Sequence, residues 1–130
     1  MASIFSRIIA GDIPSYKVAE NDYCYAFLDI NPLAKGHTLV VPKQEIDYIF
    51  DIDDRLLQEM ILFSKKVATA IQKTVPCLRI GMSVIGLEVP HVHVHLIPLH
   101  TMENARFTHK EKLTPEEFKV IATKIVSNFN

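Results

Sequence analysis

Residues 91 to 98 read His-Val-His-Val-His-Leu-Ile-Pro, and this alternation constrains the chain more than any other stretch. Successive side chains on a β-strand point to opposite faces, so His91, His93 and His95 project together while Val92, Val94 and Leu96 face a core. The pattern predicts a half-buried strand with one wet and one dry side. Same-face neighbours on a strand stand roughly 6.5 to 7 Å apart, a spacing suited to successive groups of a phosphorylated ligand. Three imidazoles side by side repel one another whenever they charge, and an anion or a metal relieves that repulsion. Isolated histidines on a sheet are commonly ordinary surface or core residues. Three in register favour anion or phosphate chemistry over a metal site, and either of these over a purely structural row.

With 130 residues, 48% of them hydrophobic, the chain fits one domain with a single core, residues 1–130. Lys and Arg number 14 against 15 Asp and Glu, so there is no basic field for a nucleic-acid backbone, and a nucleic-acid polymer is not expected as a partner. The opening Met1–Gly11 carries Arg7 inside its apolar run, which fits neither a secretion signal nor a membrane span. A cytoplasmic protein with free thiols at Cys24 and Cys77 is expected, Cys24 lying in the core.

Along the chain, Ile4, Phe5, Ile8 and Ile9 give Ser3–Ala10 the stripe of a short amphipathic helix, with Ser3 as cap and Gly11 as stop. Tyr16–Glu20 and Tyr23–Leu28 read as strands joined at Asn21-Asp22. A loop runs from Asp29-Ile30-Asn31-Pro32 to Gly36, and an apolar strand follows over His37–Pro42, its proline marking an end or an edge. A short strand or turn is expected near Tyr48–Ile52. From Asp53 to Val75 the apolar period becomes three and four, which predicts one long helix stopped by Pro76. Leu78–Val84 reads as a central strand, and Gly86–Pro90 as a turn or bulged entry to the histidines. Thr114-Pro115-Glu116-Glu117 opens a last helix, whose stripe Phe118, Ile121, Ala122, Ile125, Val126 and Phe129 should dock on the body or on a partner chain. These segments predict an α+β fold: a mainly antiparallel sheet of about five strands, one long helix, a short N-terminal helix and a C-terminal helix, with the histidine strand near the middle of the sheet.

The His-x-His-x-His strand, the upstream Asp29-Ile30-Asn31-Pro32 with Gly36-His37-x-Leu-Val-Val-Pro-Lys, and the opening Ile4-Phe5-x-x-Ile8-Ile9 with Ile13-Pro14 together closely resemble the histidine triad (HIT) superfamily of nucleotide-binding hydrolases and transferases. The resemblance spans nearly the whole chain. It implies a HIT-like homodimer whose two sheets join, each subunit holding a nucleoside monophosphate such as AMP or GMP, with no cofactor required and no metal. By the resemblance His93 is the nucleophile, His95 and His37 contact phosphate, and His91 supports. Asp29 matches the ribose-binding carboxylate, and Ile4, Phe5, Ile8, Phe27 and Ile30 match the apolar slot for the base. Read from residue type alone, the alternative for Asp29 is a plain turn former.

Chemistry supports those roles. A neutral imidazole attacks phosphorus well, and a covalent phosphoramidate splits one hard displacement into two easier ones. The second ring nitrogen must be pinned, for which a backbone carbonyl of the adjacent loop serves, while His91 or His95 donates protons and nearby amides hold the transferring charge. Two positions depart from the common family pattern: Leu87 follows Gly86 where glutamine is usual, and Ile80 stands eleven residues before the first triad histidine where many members carry asparagine or glutamine. Each change removes a donor worth about 10²- to 10³-fold in rate. Glu88, where some relatives carry serine, is an acceptor that either orients a histidine or faces solvent. His100 and His109 leave adventitious zinc open. Three functions stand: a hydrolase or nucleotidyltransferase acting on a small nucleotide, a nucleotide-binding sensor or partner module with little activity, and a metal-dependent hydrolase.

Overall fold

The computed structural model describes residues 2–129. Five strands form one wholly antiparallel sheet in the order β1-β2-β3-β5-β4. They are β1 Lys17–Glu20, β2 Cys24–Leu28, β3 Thr38–Pro42, β4 Arg79–Ser83 and β5 Val94–Leu99. Three helices join them: α1 Ile4–Ile9, α2 Asp54–Thr74 and α3 Pro115–Asn128. Short 3-10 turns occupy Ile49–Asp51, the region expected as a short strand or turn, and Met102–Ala105. Among the described residues, no helix is long and apolar enough to cross a membrane.

The helix ends follow local chemistry. Asp53 caps α2 by accepting from the Leu56 amide, and Thr114 and Glu117 form a reciprocal capping box at α3 with Pro115 at its first position. One sheet face presents Ala26, Leu28, Val40, Val94 and Leu96 to Met60, Phe63, Val67 and Ile71 of α2 and to Ile121 and Ile125 of α3. Burial of these side chains supplies the main favourable term, about 1.5–3 kcal/mol for each large one. Tyr16 stacks on Phe118 at 4.9 Å, which docks α3 on its own body. The opposite sheet face is covered by α1, whose Phe5 and Ile8 pack on Tyr25, Phe27, Leu39 and Val41.

Two expectations about strands are corrected. Leu78–Val84 yields β4 at the sheet edge, not its centre, and of its residues Arg79 and Met82 are exposed. An apolar run predicts burial but not which neighbour supplies it, and β4 pairs only with β5. The histidine strand is the fourth of five, and its ladder begins at Val94, leaving His91–His93 outside it. Nor is its histidine face wet: His91, His93 and His95 are 0%, 7% and 8% exposed, because α1 and the segment after β5 cover them.

Candidate active site

The histidines lie on the α1 side of the sheet, and each ring is held by groups that fix its hydrogens. His91 places Nε2 2.8 Å from the Pro42 carbonyl oxygen. A carbonyl only accepts, so Nε2 carries the hydrogen, and Nδ1 accepts from the Ser3 hydroxyl at 2.6 Å. The same Ser3 oxygen caps α1 by accepting from the Ser6 amide, so the first helix is tied to the triad through one side chain. Glu45 holds the Ser3 amide and the Ser6 hydroxyl at 2.7 and 2.6 Å, and these bonds, the Ser3 amide foremost, keep its carboxyl below the usual range.

His93 donates Nδ1–H to the backbone oxygen of His91 at 2.8 Å. Its Nε2 is left with a free lone pair. The expected backbone carbonyl is therefore that of the triad's own first residue.

His95 and His37 form a relay. The Leu33 amide donates to His37 Nδ1 at 3.0 Å, which leaves the hydrogen on His37 Nε2, 2.9 Å from His95 Nδ1. His95 thus accepts at Nδ1 and presents Nε2–H. Burial first, then neighbouring imidazole charge, pushes His95 down to about 3. His37 falls to about 4, again mainly through burial, with Asp29 opposing. Burial also lowers His91. The relay is neutral at neutral pH, so the mutual repulsion of a charged row does not arise.

This geometry does not favour the role implied for His37: it is 1% exposed and both ring nitrogens are engaged, by the Leu33 amide and by His95, which leaves neither free for a phosphate. Gly36 makes the placement possible: its φ is +94°, and a Cβ there would meet Val75 Cγ2 at 2.8 Å. Asp29 does what a turn residue does, accepting from the Asn31 amide at 2.8 Å, while its other oxygen stands 3.6 Å from His37 Nε2. Of the expected base slot, Phe5, Ile8 and Phe27 pack in one buried cluster, whereas Ile4 and Ile30 lie outside it, 48% and 66% exposed. Gly86 turns with φ +74°, and Leu87 and Glu88 after it are exposed, so Glu88 faces solvent.

Asp29, His37 and His95 each bring a possible ligand atom within 4.8 Å of the others. The two nitrogens 2.9 Å apart make a hydrogen bond, whereas two nitrogens of a tetrahedral zinc stand about 3.3 Å apart. The cluster is a proton-ordered array. Exposed His100 and His109 are not part of it.

Ile80 does not occupy a place beside the histidines: it pairs with Pro98 and leans on the α2 side. The residue opposite His95 across β4 and β5 is Ser83, on the histidine face, and its buried hydroxyl has no partner among the described residues. Sequence reading passed over Ser83 and Ser3, the first because counting from the histidines ignores loop length, the second because an N-cap serine is already explained. Two grooves of about 360 and 430 Å³ lie along α2 and α3, away from every triad histidine.

The HIT domain family matches residues 10–102, which contain the triad, His37 and Asp29. The chain belongs to the HIT family. This HIT protein is 35% identical over 130 residues to the adenosine 5'-monophosphoramidase of Schizosaccharomyces pombe, covering 98% of both chains. It is 36% identical over 134 residues to an uncharacterized HIT-like protein of Borreliella burgdorferi, covering 96% of each. The crystal structure of a HIT-like protein from Bartonella henselae superposes with a TM-score of 0.85 at 32% identity, covering 98% of this chain and 96% of that one.

Proposed function

We propose that the chain is a hydrolase or nucleotidyltransferase that cleaves a nucleoside 5'-phosphate derivative at its α-phosphorus through a covalent histidine intermediate. The carrying observation is the tautomer of His93: its Nδ1–H is spent on the His91 carbonyl, so the lone pair on Nε2 is free. That nitrogen attacks phosphorus, the bond to the leaving group breaks, and a nucleotidyl-histidine results. Water then breaks the P–N bond, releasing the nucleoside monophosphate and restoring His93. His95 Nε2–H donates to a phosphoryl oxygen, backed by His37. The base lies against Phe5, Ile8 and Phe27, and Asp29 takes the ribose. The S. pombe relative's name supports a phosphoramidate as one such substrate. No cofactor enters these steps.

The experiment is hydrolysis of adenosine 5'-phosphoramidate, with and without EDTA, by the wild-type chain and by His93→Ala. Metal-independent turnover that falls by more than about 10³-fold in the variant is expected, since the variant loses the nucleophile. Unchanged turnover in His93→Ala rejects the covalent reading. A nucleotide-binding module with little activity is the alternative, favoured by Leu87, which is 89% exposed where a donor is usual. AMP binding with no turnover of phosphoramidate, adenylylated amine or dinucleoside polyphosphate would establish that alternative.

We also propose a cytoplasmic homodimer. Its support is the outer edge of β4, which pairs with no strand among the described residues and lies beside exposed Leu78, Met82 and Ile85.

A further inference from the structure

A cluster of polar side chains, Glu45, Ser3 and Ser6, joins three distant parts of the chain at the first histidine of the row. The end of β3 and the turn leaving it supply its fixed points. The Pro42 carbonyl accepts from His91 Nε2, the Glu45 carboxylate takes the Ser3 amide and the Ser6 hydroxyl, and the Ile46 carbonyl accepts from the Val92 amide. Capping α1 needs only an acceptor at Ser3, and the Ser6 amide uses it. The Ser3 hydroxyl hydrogen goes elsewhere, to His91 Nδ1 at 2.6 Å, a nearer acceptor than the Ser6 oxygen at 3.3 Å. Phe5, the second residue of α1, meets His91 and His93 edge-on at 5.8 and 5.0 Å, while Phe107 meets His95 at 4.9 Å from the other end of the row. The latch formed by Glu45 and Ser3 therefore sets the α1 end, where the His91 carbonyl accepts from His93 Nδ1.

We propose that Glu45 and Ser3 are positioning residues for His93: the carboxylate seats Ser3, the Ser3 hydroxyl holds His91 in its Nε2–H form, and the His91 carbonyl so fixed keeps the hydrogen of His93 on Nδ1. The proposal rests on the reading of His93 as the nucleophile, and neither residue touches the reacting atoms. His91 is buried, so without the hydroxyl its Nδ1 is an unpaired acceptor in the interior. Moving the ring hydrogen to Nδ1 does not repair this, because Nε2 then turns a lone pair onto the Pro42 carbonyl oxygen. The ring must swing, and its carbonyl shifts with it. That carbonyl makes the one bond that leaves the lone pair of His93 on Nε2. Glu45 acts one step earlier, since an ionised carboxylate strengthens both bonds that seat the start of α1.

Substitution separates the cap from the latch: glycine is tolerated at a helix cap but has no hydroxyl, threonine keeps both, and Glu45 is exposed, so its truncation spares the fold. The test reads the ring nitrogen NMR shifts of His91 and His93, with kcat and KM for adenosine 5'-phosphoramidate, in wild type, Ser3→Gly, Ser3→Thr and Glu45→Ala. Wild type should show His91 as Nε2–H and His93 as Nδ1–H. In Ser3→Gly, and to a smaller extent in Glu45→Ala, the His93 signals should move towards a mixture of tautomers, with kcat lowered roughly tenfold and KM little changed, whereas Ser3→Thr should keep the wild-type behaviour. His93 signals or a kcat at wild-type values in both Ser3→Gly and Glu45→Ala overturn the latch while leaving the nucleophile reading intact. A wild type that turns over no phosphoramidate counts against the nucleophile, and the His93 signals then decide by themselves whether the latch sets its tautomer.

Discussion

Each triad imidazole is distinguished from its neighbours by the hydrogen bond at its inner nitrogen. His91 is pinned by Pro42 and Ser3, His93 by the carbonyl of His91, and His95 by His37. Identical side chains at identical spacing thus acquire two tautomers, Nδ1–H on His93 and Nε2–H on His91 and His95, and only His93 has an outward lone pair with its other nitrogen donating to a carbonyl. His37 reaches the row through its bond to His95, and one test separates contact with a ligand from support of His95. His37→Leu should lower kcat on the order of 10²-fold with little change in KM, because His95 loses the donor that orders it. His37→Gln, whose amide can still donate, should recover part of the loss. A rise in KM with kcat intact would mean that His37 touches phosphate directly. The identities of all these residues were readable from the chain, but not which nitrogen faces which partner.

At the scale of elements, the helices were the most legible part. Ser3, Asp53 and Thr114 each cap the helix they precede, as their hydrogen-bonding chemistry dictates. The strands were legible as strands and less so as neighbours. Arg79–Ser83 is apolar enough to read as central, but it lies at the edge because β5 is its single partner. That edge carries a prediction about assembly. Sedimentation at micromolar concentration should give twice the chain mass, and Met82→Arg, placing a cation on the exposed edge, should shift the population towards monomer. A wild-type chain that sediments as a monomer rejects the pairing. The histidine stretch forms a shorter ladder than its alternation predicts: it starts at Val94, since the His91 and Val92 amides donate to the Val89 and Ile46 carbonyls instead of to a neighbouring strand.

For the whole molecule, the buried relay couples folding to pH. His37 is held to about 4 in the folded chain, below its ordinary value near 6.5, so between those values the unfolded chain binds a proton that the folded chain refuses. Stability is therefore full above about pH 6.5 and is lost as pH falls towards 4, with a contribution on the order of 3 kcal/mol from His37 alone. Urea midpoints at pH 7 and pH 4.5 for wild type and His37→Leu check this: the wild type should lose more on acidification than the variant, whose remaining carboxylates titrate in both. Equal losses would remove His37 as the cause.

The sequence by itself determined the α+β class, the helix limits, the two-sided sheet and the histidines that gather on one face, because caps, periods of two and 3.6, and turn residues act through near neighbours in the chain. It also placed Asp29, His37 and Phe5 near the triad, though only through resemblance. The tertiary structure decided the strand order, the burial of the histidine face, the tautomer of each ring, and the approach of Ser3, Ser83 and Phe107. Those features depend on contacts between segments far apart in the chain, such as Ser3 with His91 or His37 with His95, whose geometry follows from packing around the whole core and leaves no local period to read.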